Sequence, residues 1–204
     1  MGHYASLIRL GASLGLGLSL VAVSSRASAQ NSMLADHTIL DIAAIPSANL
    51  DTARAIKMSL DHASVGNNIL AGMNDLDGQD HARYSFPNWK WRDRGNPGWK
   101  AKVDGFAAWV KDNQAAYQVF TMKFCFIDDD AEFDYYRDAL LKLEATYPAK
   151  KFIWWSMPLE STGSAARNAF NGKVRTYCAQ NSKPLFDIAD IESHDPQGKE
   201  ITDS

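Results

Sequence analysis

The stretch 55–68, Ala55-Ile56-Lys57-Met58-Ser59-Leu60-Asp61-His62-Ala63-Ser64-Val65-Gly66-Asn67-Asn68, decides the fold. Its first half alternates apolar and polar residues, which predicts a strand over 55–60. Small residues and a serine interrupt the alternation, and a helix is expected from roughly Asn67 to Leu76. A strand that breaks at a serine and enters a helix exposes that hydroxyl at the carboxyl edge of a sheet, where open α/β folds place their ligands. Ser64 is therefore a candidate nucleophile. Gly66 permits close backbone approach, and the N–H groups where the helix starts, at Asn67, are suited to a developing oxyanion or a bound substrate. The plainer reading makes Ser64 a helix N-cap, a position serine favours.

Downstream of this turn, strands and helices alternate. The segment 77–97 reads as a long irregular loop holding Tyr84, Phe86, Trp89 and Trp91, and a loop of that length is either functional or hides an element. Val103, Phe106, Ala107 and Val110 are spaced for a helix over 99–113. The run 117–127 is apolar on both faces, as a central strand covered by helices requires. Phe133, Tyr136, Leu140, Leu143 and Tyr147 stripe a helix over 131–147 that Pro148 closes. A strand over 151–157, a helix over 164–180 and a last strand over 185–188 follow. Such alternation means βαβ units and a parallel sheet between helical layers. The segment 30–51 reads as an arm with a short helix before Pro46, and 189–204 as an irregular tail that leaves one flank of the sheet under-covered.

Arg9, the uncharged Leu/Gly/Ala/Val/Ser run 10–23 and Ala27-Ser28-Ala29 have the pattern of a secretory signal peptide over 1–29. The run is short and rich in Gly and Ser for a membrane span, so a secreted or periplasmic chain starting near Gln30 is expected. Loss of Arg9 and Arg26 takes the formal charge from −3 to −5, with no basic tract, which argues against nucleic acid as a partner. The remaining residues, 30–204, suffice for one domain. Cys125 and Cys178 either pair in an exported chain or are two buried thiols. No His/Cys cluster has metal-ligand spacing, and phosphate-loop and dinucleotide fingerprints are absent, so neither a metal nor a cofactor is expected.

The order of these pieces resembles the SGNH hydrolases, also called GDSL esterases and lipases. The resemblance runs over about 55–188 and implies a three-layer flavodoxin-like parallel sheet with helices on both faces. It casts Ser64 as the nucleophile after the first family strand, with His62-Ala63 where the family has Gly-Asp. Asp93-Arg94-Gly95-Asn96-Pro97-Gly98 resembles the Asn-x-Gly-x-x-Gly turn whose first glycine donates an oxyanion N–H, with Asp93 in place of asparagine, and so implies that role for Gly95. The stretch 167–175 resembles the Asn-x-x-hydrophobic-basic helix before the last strand.

Two departures stand beside the resemblance. Asp128-Asp129-Asp130 occupies the place of an asparagine donor, and an ionised carboxylate only accepts hydrogen bonds. No Asp-x-x-His follows the last strand, since Asp190 and His194 are one position too far apart, and the chain is expected to lack a segment carrying the family histidine. Within the chain the candidate bases are His194, among Asp190, Glu192 and Asp195, and His62, two residues before Ser64 on a strand end. Lys123, inside an apolar strand, either pairs with a carboxylate near the site or sits at an edge with its stem snorkelling. Asp128–Asp130 reads as a helix start. Trp89, Trp91 and Trp99 flank the Gly95 turn and are candidates to stack on a sugar or line an acyl pocket. The expected activity is hydrolysis of an ester, such as an acyl ester on a carbohydrate. The other reading is a non-catalytic exported binding domain that uses 84–99 to hold a glycan or protein.

Overall fold

The computed structural model describes residues 33–201 apart from 40 and 196; the expected signal segment lies outside them. Six parallel strands form one sheet: β1 (Leu34–Ala35), β2 (Met58–His62), β3 (Trp89–Asp93), β4 (Val119–Met122), β5 (Lys151–Trp155) and β6 (Leu185–Phe186), in the order β1-β6-β5-β4-β2-β3. The last five have the doubly wound flavodoxin-like order, to which β1 adds an edge. The helices are α1 (Ser47–Ala55), α2 (Val65–Gln79), α3 (His81–Tyr84), α4 (Trp99–Asn113), α5 (Phe133–Thr146), α6 (Ala165–Asn181) and α7 (Ile188–Glu192).

Alternation along the strands sorts the side chains into two layers. Phe120, Met122, Phe152 and Trp154 pack with Val103, Phe106 and Val110 of α4, Tyr136 and Leu140 of α5, and Phe170 and Val174 of α6. On the opposite face Leu60, Ile153 and Trp155 meet Ile69 of α2 and Ile188 of α7. No described helix is long and apolar enough to cross a membrane. Cys125 and Cys178 are both buried and free, so the pairing alternative does not hold here.

Several boundaries differ from the sequence reading. The short helix expected before Pro46 is present as a 3-10 turn over Ile42–Ala44, capped by Asp41, and a further helix, α1, follows Pro46; Ala55 ends α1, and the strand runs on to His62. The supposed loop 77–97 contains α3 and the edge strand β3, whose alternation Trp89-Lys90-Trp91-Arg92 is hidden among Pro, Gly and Asn. The central strand is only four residues long, and 126–127 already form a turn. The tail is not wholly irregular: Asp187 caps α7 by accepting the Asp190 N–H at 3.3 Å, and Ile188 and Ala189 are buried.

Asn171 and Arg175 explain why that helix motif has its spacing. One turn apart on α6, Asn171 clasps both backbone groups of Met157 beyond β5, at 2.7 and 3.0 Å. Arg175 forks onto Asp187 beyond β6, at 2.5 and 2.9 Å. The pair fixes the carboxyl ends of two neighbouring strands.

Candidate active site

In a doubly wound sheet the ligand crevice lies outside the carboxyl ends of the strands where successive connections diverge. Here that point is between β2 and β4: the chain leaves β2 for β3 on one side and leaves β4 for β5 on the other. Ser64 follows β2 directly.

Ser64 precedes α2 at φ 51° and ψ −116° and makes no side-chain cap hydrogen bond. An ordinary N-cap lies in the β region and accepts an N–H from the first turn, so the capping reading fails on both counts. Holding a non-glycine residue there costs on the order of 1–3 kcal/mol, and the result is an exposed hydroxyl on a tight strand-to-helix turn. Gly66 makes the turn possible. A Cβ on it would lie 2.4 Å from the Cβ of His62, so α2 descends onto β2 only because nothing projects there. Gly66→Ala is expected to cost about 1–3 kcal/mol from overpacking, read as a lower urea midpoint.

The other predicted residues separate into near and far. His62 is 2 % exposed, its Nδ1 has no hydrogen-bond partner, and its ring lies edge-on to Trp91 at 5.8 Å. Burial lowers its pKa from the usual imidazole value; Asp93 opposes the shift, and Lys123 and Arg94 add to it. No hydrogen bond joins His62 to Ser64 among the described residues. Asn67 is exposed in the first turn of α2 and donates its N–H to the Ser64 carbonyl at 2.6 Å.

Gly95 shares the carboxyl edge with Ser64, since His62 pairs with Asp93 in register. Its N–H, however, donates to Asp93 Oδ1 at 2.8 Å, with φ +70°. The donor assigned to the oxyanion is thereby engaged. Ser64 and Val65 offer a replacement, because N–H groups at a helix start have no intrahelical acceptor.

His194 is remote from this point. It follows α7 at the β1–β6 edge, where its ring stacks on His37 at 3.7 Å and its Nδ1 lies 2.7 Å from the Asp190 carbonyl. Strand β6 is three positions from β2, roughly 14 Å at normal strand spacing. His37 Nδ1 also meets Asp190 Oδ2 at 2.5 Å. Burial pushes the Asp190 carboxyl up, but the His37 hydrogen bonds and the two imidazoles outweigh it and hold the group below the usual range. Ligand atoms of His37, Asp190 and His194 lie within 4.8 Å of one another, a set the sequence spacing did not reveal because His37 is distant along the chain. The rings are parallel to within 14°, so their in-plane lone pairs do not converge on one ion unless a ring turns.

The tryptophans do not assemble into one exposed face. Trp89 donates Nε1–H to the Ala53 carbonyl at 3.1 Å and lies against Phe86. Trp91 pairs with Leu60 and packs against its cluster, and Trp99 meets Tyr135 edge-on at 5.5 Å. Asp128 does not start a helix either. It is buried, ion-paired with Lys102 of α4, and accepts the Cys125 N–H at 2.7 Å.

The chain matches no family model, no curated protein and no solved structure.

Two residues gain importance from the structure. Arg94 donates its N–H to the His62 carbonyl at 3.1 Å and its guanidinium to the Lys123 carbonyl, tying together the ends of β3, β2 and β4. Lys123 is 0 % exposed, directly beyond the central strand β4. It neither lies on an edge nor snorkels, and it has no carboxylate within ion-pair reach among the described residues. Its Nζ donates to the Phe124 carbonyl at 3.0 Å and lies 3.9 Å from Cys125 Sγ, which in turn sits 3.8 Å from the Ala63 carbonyl. Along the same edge, beyond β5 and β6, a cavity of about 380 Å³ is lined by Glu160, Arg167, Asn168, Glu192 and Ser193 among others.

Proposed function

We propose that the protein is an exported serine hydrolase of the SGNH type that cleaves an ester. The observation that carries this reading is Ser64: an exposed hydroxyl, held at positive φ without a capping bond, where β2 enters α2 at the sheet's divergence point. Strain kept at such a turn is the device by which strand–turn–helix nucleophiles are presented.

In the proposed reaction Ser64 Oγ attacks the ester carbonyl while its proton passes to an imidazole, for which His62 is the near candidate. The Ser64 and Val65 N–H groups receive the oxyanion. As the tetrahedral species collapses, the acyl–oxygen bond breaks, the base returns the proton to the leaving alkoxide, and water repeats the sequence to free the acid. An acyl ester on a carbohydrate is the substrate class we propose.

A fluorophosphonate tests the nucleophile. It is expected to label Ser64 in the wild-type protein, and Ser64→Ala is expected to lose the label and at least about a hundredfold of short-acyl-ester turnover. Undiminished turnover, or a label on another residue, sinks the assignment.

A further inference from the structure

Register brings His62 and Lys123 side by side. Asp61 pairs with Met122, and the Lys123 N–H extends the ladder to the Asp61 carbonyl at 3.2 Å, so the next residues along, His62 and Lys123, are neighbours across β2 and β4. Alternation points both toward the face of Leu60, Ile153 and Trp155, beneath α2 and α7. Extending the β4–β5 register brings Trp155 next in the row, and its Nε1, like His62 Nδ1, has no partner. Three buried polar groups thus line up across the divergence point, and only the Lys123 amine has a hydrogen bond there.

A buried ammonium without a carboxylate is costly, and apolar packing needs no such group. Its position beside the imidazole nearest the candidate nucleophile gives it a use. We infer that Lys123 is a positioning residue for Ser64 chemistry: set beside His62 by the register, its charge adds to burial in opposing a proton on the imidazole, which is left able to take up the serine proton. This inference rests on the reading of Ser64 as a nucleophile. The charged groups around His62 are Asp93 and Arg94 at the end of β3 and Lys123 beyond β4; α2 meets it with Gly66, which carries no charge. Asp93 favours the imidazolium, while Arg94 and Lys123 oppose it. Around Lys123 itself, Cys125 and Glu192 of α7 favour the charge while Arg94 and Lys102 of α4 oppose it; burial, the largest influence, holds the amine down at about 8, so it stays largely charged at neutral pH while His62, lowered from its own ordinary value, stays neutral.

The test follows the His62 ring by NMR across pH in the full chain, with the resonance assigned by its loss in His62→Gln. In the wild type the His62 shift is expected to show a second inflection near pH 8 as Lys123 titrates. In Lys123→Met that inflection should vanish, and His62 should bind protons at least threefold more tightly, moving its midpoint up by about half a unit. The acid limb of kcat/KM for a short-acyl ester should move up with it, because that limb reports the base in the free enzyme. A His62 midpoint unchanged in Lys123→Met, or a wild-type curve without the second inflection, overturns the inference; the wild-type curve decides even if the variant does not fold. If Ser64 is not a nucleophile, the ester assay stays silent while the NMR arm still reads the His62–Lys123 coupling. The two failures are therefore distinguishable.

Discussion

Lys123→Met should make the protein more stable at pH 7, by about 2 kcal/mol. Burial takes the amine from its ordinary 10.5 down to about 8, and a shift of that size corresponds to about 3 kcal/mol of penalty for keeping the charge inside. Methionine fills similar space without the charge, but the Phe124 carbonyl loses its donor, worth about 1 kcal/mol. The pH dependence has a definite sign. Below pH 8 folded and unfolded chains both hold the proton and the fold bears the full cost. From pH 8 to 10.5 the folded protein has released a proton that the unfolded chain keeps, so wild-type stability rises with pH and the advantage of methionine fades. Urea unfolding at pH 7 and pH 10 checks this. A variant less stable than the wild type at pH 7 contradicts it.

The same substitution at the other buried lysine should do the opposite. Lys102 and Asp128 form an ion pair in which both side chains are almost wholly buried, and Asp128 also takes the Cys125 N–H. Lys102→Met leaves that carboxylate without its counter-charge, which costs about 3–5 kcal/mol. A fall in the urea midpoint at unchanged slope is the expected reading, and a neutral result would mean that Asp128 does not depend on Lys102. The contrast separates two uses of a buried cation. Lys102 anchors the loop beyond β4 to α4, whereas Lys123 is expected to weaken the fold, and the proposed coupling to His62 gives it a use.

The helices of the α4–α6 layer were legible in the sequence because their stripes are long: Phe133, Tyr136, Leu140 and Leu143 declare α5 without help from elsewhere. So was the turn at Ser64, where small residues break a strand pattern. β1 was not legible, because two residues make no periodic signal and the strand exists only by pairing with β6. β3 was missed because an edge strand with Lys90 and Arg92 facing away from its tryptophans resembles a polar loop. At the site, chain proximity identified His62, but strand order is a tertiary property. It moved His194 to the opposite edge and placed Lys123, read either as the partner of a carboxylate near the site or as an edge or snorkelling residue, beside the divergence point, where it is buried without a carboxylate partner among the described residues. Arg94 gave no signal of its own, since a guanidinium strapping three strand ends has no local pattern.

The pairing of β1 with β6 has a consequence for how the molecule assembles. The first strand of the described chain docks on the last, with Leu34 opposite Leu185, and His37 then grips Asp190 from the same side. Contacts between residues so far apart in sequence form late, because the intervening loop must be closed before they return any free energy. A chain synthesised in order from its amino end would therefore hold its leading segment open until the region of β6 and α7 had followed. During that interval the outer edge of β6 would present unpaired backbone groups to any extended segment nearby, so the two residues of β1 serve as the fold's final latch.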